Sequence, residues 1–260
     1  MNETEVNSSM LSGKEVRVFR SIDEIGKSTM DSISDDPFFT YGWFKTLETQ
    51  QTYEYSPIYL AVYCESKLVC VAPFFIELIE PNSNGLFSRL LNLGFRQNKA
   101  LSCYSPRCYR SKILFSDNRD KKIFFSLLSK EIDSICKKQK ILKSQFPYVS
   151  EFDKLLIENI QKYGYQKMPG ITTLYLDIQW TSFEDYLKSL KPKARGKARR
   201  EIKKCRENGV TIQESELEDL TTKLSDLYAN LSLKYNNNKS AKRIFDSYFF
   251  SMLNMYAKEK

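Results

Sequence analysis

The densest stretch of chemistry-bearing residues runs from Thr181 to Gly209, TSFEDYLKSLKPKARGKARREIKKCRENG. It holds ten Lys or Arg against four Asp or Glu, so +6 of the chain's formal +8 lies in this one segment. Clustered cations of this kind bind phosphates or an anionic surface. Phe183, Tyr186, Leu187, Leu190, Ala194, Ala198, Ile202 and Cys205 recur every three or four residues, which predicts helix with one apolar stripe. The opposite face carries Lys193, Arg195, Lys197, Arg199, Arg200, Lys203, Lys204 and Arg206, and Arg199, Arg200 and Lys203 are the residues expected to meet a polyanion. The plainer reading is a solvated face. Nucleophilic chemistry is more restricted. There is no histidine, which removes Ser-His-Asp and Cys-His catalysis. The six cysteines show no Cys-x-x-Cys pair and no metal-ligand rhythm, so no metal site is expected.

The elements that would position these groups follow from pattern. Thr181 with Glu184 reads as a capping box, Pro192 divides the segment into two helices, and Asn208-Gly209 closes the second. Upstream, residues 16–20 alternate as a strand and Ser21 opens a loose helical stripe through Ile22, Ile25, Met30 and Ile33. Asp36-Pro37 starts the next helix, PFFTYGWFKTLETQ. A hairpin follows over residues 57–80, with Pro73 expected to mark a bulge or an edge. Short strands are predicted at 100–104 and 111–115, a helix at 121–138, a strand at 141–149, a helix capped by Ser150 and a strand at 172–178. Beyond the basic segment come a strand at 210–213 and helices at 217–235 and 240–260. At 260 residues with 42% hydrophobic content, there is ample apolar surface for a packed core. The polar, acidic start MNETEVNSSM is no signal peptide, so residues 1–13 are expected to be a disordered tail, and the protein to be cytoplasmic with reduced thiols. No apolar run reaches the length of a membrane span.

The order β-α-α-β-β-β-α-β-α-β over 14–178 resembles the Gcn5-related N-acetyltransferase fold. Four stretches extend the likeness to the FemAB-type aminoacyltransferases and the similar BioF2-like acetyltransferases: DDPFFTYGWFKTLE, LVCVAPFFIE, SFEDYLKSLKPKARGKARREIKKCRENGVTI and SAKRIFDSYFFSML. The resemblance implies a mixed α/β sheet of the acyl-CoA N-acyltransferase-like kind, with one full unit at 14–178, a basic helical junction at 179–209 and the start of a second unit at 210–260. It implies transfer of an acyl or aminoacyl group to an amine, with a phosphorylated, cell-wall or nucleotide-linked glycan precursor as acceptor. Acyl-CoA or aminoacyl-tRNA would be the donor cosubstrate, and no cofactor would be tightly bound. Two cationic side chains hold the acceptor's phosphates in such enzymes. Matching Gly-Trp-x-Lys places the first at Lys45, and the aromatic helix around Tyr248-Phe249 places the second at Arg243, with Lys242 as its neighbour.

The chain departs from that pattern in two places. Phe146 stands before Pro147 where the family often carries an acidic residue, so an amine-orienting carboxylate is expected to be missing. No Arg/Gln-x-x-Gly-x-Gly/Ala turn precedes Lys121, since residues 117–120 contain no glycine. The second unit, ending as β-α-α, is expected to be incomplete, to lack the donor-binding half and to favour self-association. Two other readings stay open: a basic RNA-binding protein working through the face from Lys193 to Arg206, and a family member that keeps the fold without the activity.

Overall fold

Two long runs rich in β-branched and aromatic residues form the hairpin on which the sheet is built, β2 (Tyr55–Cys64) and β3 (Lys67–Leu78). The computed structural model describes residues 13–49, 55–78, 99–116, 121–170, 174, 176–235, 250, 253, 254 and 256. Glu65 and Ser66 join the two strands with φ of 51° and 68°, the left-handed pair whose twist matches a two-residue hairpin. β1 (Lys14–Phe19) pairs antiparallel with β2 from Lys14↔Cys64 to Phe19↔Tyr59. The free edge of β3 takes β4 (Lys99–Cys103) and β5 (Leu114–Phe115), both antiparallel. β6 (Lys143–Gln145) then pairs parallel with β4, giving the order β1-β2-β3-β4-β6 with β5 on β3.

A parallel pair cannot be closed by a hairpin and needs a crossover. α3 (Lys121–Gln139) supplies it, burying Phe124, Phe125, Leu128, Ile132 and Ile135 against one face of the sheet. α4 (Lys154–Lys162) adds Leu156 to the same core. On the opposite face lie a 3₁₀ turn at Ile22–Glu24, α1 (Lys27–Asp31), a second 3₁₀ turn at Pro37–Phe39 and α2 (Tyr41–Thr49). Their Ile22, Met30, Phe39, Trp43 and Phe44 meet Tyr59, Val71 and Phe75 from the strands. The period of two along β3 sorts these cores: Cys70, Ala72 and Phe74 face α3, while Val71 and Phe75 face α2.

Contacts divide the chain into two units, Met1–Gly170 with Thr221–Lys260, and Ile171–Leu220. In the smaller unit, α5 (Phe183–Ser189) is followed by α6 (Pro192–Glu207), which begins on Pro192 at its first position. Gly209, at φ 67°, ends α6 in a Schellman motif: its amide donates to Arg206 O (3.1 Å) and that of Val210 to Cys205 O (3.0 Å). α7 (Leu217–Tyr235) follows.

Several expectations change. The cap of α5 is Ser182, whose hydroxyl accepts from Asp185 N (3.1 Å), and not Thr181; Glu184 is paired with Arg199 instead. The cap of α4 is Asp153 rather than Ser150. Thr40, in extended conformation, separates the Pro37 turn from α2, so the expected single helix is two elements. The irregularity in the hairpin falls at Val62/Tyr63, opposite Val69, and not at Pro73. Pro73 has no pairing residue on the β4–β5 side, because the pairing of β3 with β5 ends at Val71 and its pairing with β4 begins at Phe74. A residue without an N–H suits that gap.

The strands expected at 172–178 and 210–213 are not formed at the described positions. Leu174, Leu176, Ile178 and Ile212 are exposed there. A helix satisfies its own backbone, whereas a strand needs a neighbour, and among the described residues of this unit no neighbour is present. The apolar stripe of α6 is shallower than predicted: Ala198 and Ile202 are half-buried, Ala194 and Cys205 are exposed, and no residue of the helix is fully buried. Residues 1–12, 117–120 and 236–249 lie outside the described residues, and with them the expected disordered tail and most of the helix expected to 260.

Left-handed backbone costs a non-glycine residue about 1 kcal/mol or somewhat more. Ser66→Gly is therefore expected to raise stability by about 1 kcal/mol in urea unfolding. A loss of stability would contradict the turn geometry.

Candidate functional site

The site is built where β3, β4 and β6 run side by side on the face toward α2. Glu77 continues the Phe75 phase of β3, so its carboxylate projects over the same side of the sheet as Ser102, Tyr104 and Gln145. Ser102 donates to Glu77 Oε2 (2.6 Å), and the Tyr104 hydroxyl donates to Oε1. Gln145 Nε2 donates in turn to the Ser102 hydroxyl (2.8 Å), so a hydrogen-bond chain crosses three strands. Ser102 is fully buried and Tyr104 nearly so, while Glu77 and Gln145 are half-buried. A carboxylate can accept about four hydrogen bonds, so two donors from the protein leave acceptor capacity for a ligand.

Past Ser102 and Gln145 the parallel strands diverge, and Ser111 spans the opening. Its hydroxyl is shared between the carbonyls of Cys103 (2.6 Å) and Pro147, and its amide donates to Tyr148 O (3.4 Å). Trp43 of α2 reaches the same region: its Nε1 donates to Ser105 (2.8 Å), whose hydroxyl donates to Phe38 O (2.8 Å). Burial, then the neighbouring Tyr109 and Glu77, pushes the Tyr148 phenol up. Burial also raises the thiols of Cys70 and Cys103 well above the usual range, so neither is a thiolate nucleophile.

The far side of α2 is seated by glycine. A Cβ on Gly42 would stand 2.2 Å from the Tyr256 ring, and Tyr256 OH lies 2.5 Å from Thr40 Oγ1 and donates to Pro37 O at 3.3 Å. Leu253 and Tyr256 add to the core on this face. Ser21 and Glu24 cap the first 3₁₀ turn reciprocally, and Glu48 ties it to the sheet by accepting from Ser21 (2.7 Å), Ile22 N (2.7 Å) and Tyr59 OH (2.8 Å).

Lys45 lies on α2, about 38% exposed, in an ion pair with Asp23. Tyr41 OH also donates to Asp23 (2.6 Å), and the Lys45 and Tyr41 bonds hold the Asp23 carboxyl below its ordinary value. Lys242 and Arg243 lie outside the described residues. Arg199, Arg200 and Lys203 share helix α6 in the smaller unit: Arg199 pairs with Glu184, Lys203 approaches Glu207 at 3.6 Å, and Arg200 has no acidic partner among the described residues. Phe146 turns away from the carboxylate site and packs on Phe74 and Tyr165, as alternation along β6 dictates. An acid at that position would enter the α3 core. Glu77 was not singled out from sequence, although a carboxylate two residues after Phe75, on the inward phase of an apolar strand, is a readable signal. Among the described residues no cluster is placed to hold a metal ion, and no helix is long and apolar enough to cross a membrane.

These features define a mixed-sheet α/β protein with a carboxylate-centred polar site on its parallel strand pair. The model of the FemAB-like family, described as peptidoglycan biosynthesis/recognition, matches residues 21–260, and the chain belongs to that family. Two solved structures are similar. A mutant of the BH1408 protein from Bacillus halodurans shares 10% identity at TM-score 0.43, over 62% of this chain and 99% of that one. A ribosomal-protein-alanine N-acetyltransferase from Brucella melitensis biovar Abortus 2308 shares 12% at TM-score 0.37, over 64% and 98%. No curated protein matches.

Gly42→Ala overpacks the Tyr256 seat and is expected to cost roughly 1–3 kcal/mol. In a Tyr256→Ala background the same change removes only a helical glycine and is expected to stabilise by about 0.5–1 kcal/mol. A double-mutant cycle in urea reads the change of sign; two equal effects would mean that the ring is not on Gly42.

Proposed function

We propose that this protein is an N-acyltransferase in which Glu77 takes the proton released when an amine attacks an acyl or aminoacyl donor. The observation that carries the reading is the hydrogen-bond chain from Gln145 through Ser102 to Glu77, with Tyr104 on the second carboxylate oxygen. Amide formation requires an uncharged amine, and a positioned carboxylate with spare acceptor capacity meets that need. Ser102 and Tyr104 spend their protons on the carboxylate and fix its orientation, while the neighbouring Tyr148 offers a phenolic proton to the departing group. The carboxylate that the family often carries at position 146 is, in this reading, supplied from β3, two strands away across β4.

Family membership supports an acceptor drawn from cell-wall chemistry; that it is phosphorylated or nucleotide-linked is what the resemblance implies. The donor is acyl-CoA or aminoacyl-tRNA. The exposed cations of α6 favour tRNA, because Arg200 has no acidic partner among the described residues and Lys203 is only loosely engaged. The same face supports the second reading, RNA binding without transfer. In the acyltransferase reading, Lys45 and Arg243 or Lys242 retain their role as phosphate contacts from the resemblance.

Glu77→Gln keeps the shape of the network and removes the base. With a labelled acyl donor and an amine acceptor, turnover is expected to fall by about 10²–10⁴-fold while the melting temperature holds. Unchanged turnover would exclude Glu77 as the base. For the donor, replacing Arg199, Arg200 and Lys203 by Ala is expected to flatten the log–log salt dependence of tRNA binding by about two to three. An unchanged slope would leave α6 as a solvated face.

A further inference from the structure

The loop from Ser105 to Lys112 is held in a costly conformation at the carboxyl ends of the parallel strands. Arg107 and Tyr109 have φ of 70° and 51°, and Tyr148, on the exit from β6, has φ of 60°. The other left-handed non-glycine residues described are Glu65 and Ser66 in the hairpin turn and Lys140 after α3, so three of the six gather at this one place. Strain concentrated where a fold places ligands marks a site, because the surrounding structure must be built to hold it. Here the holding contact is the Ser105–Arg110 bridge, with Ser105 N donating to Arg110 O at 2.8 Å.

The strained backbone presents charge and a ring. Arg110 and Lys112 both reach the same oxygen of Asp36, Lys112 at 3.4 Å, and both lie over the Phe39 ring at 5.6 and 5.7 Å. Asp36 is about 10% exposed, while the two cations are 44% and 40% exposed. That carboxylate also accepts from Phe38 N (3.2 Å). Burial would raise its pKa, but the Phe38 amide and the two cations outweigh burial and hold it below the ordinary value. Two positive charges are thus fixed side by side on one negative charge, each partly exposed and each carrying more donors than the one it gives to Asp36. Tyr109 is 63% exposed, its ring edge-on to Tyr148 at 5.2 Å, and Tyr148 lies 6.1 Å from Tyr104, which donates to Glu77.

We propose that this loop binds the oxyanion of a ring-bearing ligand, with Arg110 and Lys112 on the anion and Tyr109 with Tyr148 against the ring. A guanidinium fork beside an ammonium suits a phosphate or a carboxylate. The aromatic row leads from this anion site to the Glu77 carboxylate, so the ligand's uncharged end is directed toward the proposed base. That the ligand is a substrate of acyl transfer rests on the function proposed above; the binding itself does not.

Calorimetric titration of the full chain at low salt, with pyrophosphate, citrate and a nucleoside diphosphate, tests the site. The nucleoside diphosphate is expected to bind about tenfold more tightly than pyrophosphate, and Tyr109→Ala to abolish that difference. Arg110→Gln is expected to weaken every anion about tenfold. Asp36→Asn still caps the Pro37 turn and frees both cations, so it is expected to tighten binding, whereas a purely structural ion pair gives no gain. Citrate binding more tightly than pyrophosphate assigns a carboxylate instead of a phosphate and keeps the site. Absence of binding by all three probes, or affinities unmoved by both Arg110→Gln and Asp36→Asn, overturns it. Binding retained in Glu77→Gln while transfer is lost separates this site from the proposed base; binding retained where no transfer is detectable keeps the site and removes the acyltransferase reading.

Discussion

β3 is hydrogen-bonded along both edges, and its side chains must therefore divide strictly between two faces. One phase, Cys70, Ala72 and Phe74, is committed to the α3 core, and the other, Val71 and Phe75, to the α2 core. A one-residue slip would exchange the two sets and bring Glu77 under the α3 side. The position of the carboxylate is thus a consequence of core packing. The same constraint explains Pro73, which sits where the β4–β5 edge makes no demand for a donor.

The second dependency is the parallel pair. β4 and β6 share three registered positions before they part, and the polar groups freed at the parting are taken up by Ser111. An unpaired buried carbonyl costs about 1–3 kcal/mol, so a single hydroxyl between Cys103 O and Pro147 O stabilises the opening without closing it. Trp43 holds the adjoining loop to α2 through Ser105, which links the helix carrying Lys45 to the strand ends.

Elements governed by local rules were legible in the sequence. The hairpin, the stripe of α3, Pro192 opening α6 and the Gly209 cap each depend on residues within a few positions of one another. The site was less legible because its members come from β3, β4 and β6 and meet only through sheet register. Local pattern makes Glu77 one charge at the end of a strand, and only sheet register brings Ser102 and Tyr104 to it. The strands expected at 172–178 and 210–213 show the converse. Alternation in LYLDI and VTI states a preference for strand, but pairing needs a neighbour, which local pattern cannot supply. Lys45 came from the family resemblance, and the structure engages it with Asp23, an interaction that its own helix does not encode.

The central claim is that the Glu77 carboxylate, held by Ser102 and Tyr104, is where an amine becomes an amide. A crystal structure of the protein soaked with an N-acylated amine product tests it most directly. The account predicts the product's amide nitrogen within hydrogen-bond reach of Glu77, with the Ser102 and Tyr104 bonds intact. A product bound away from β3, β4 and β6, with Glu77 touched only by its own chain, would contradict it.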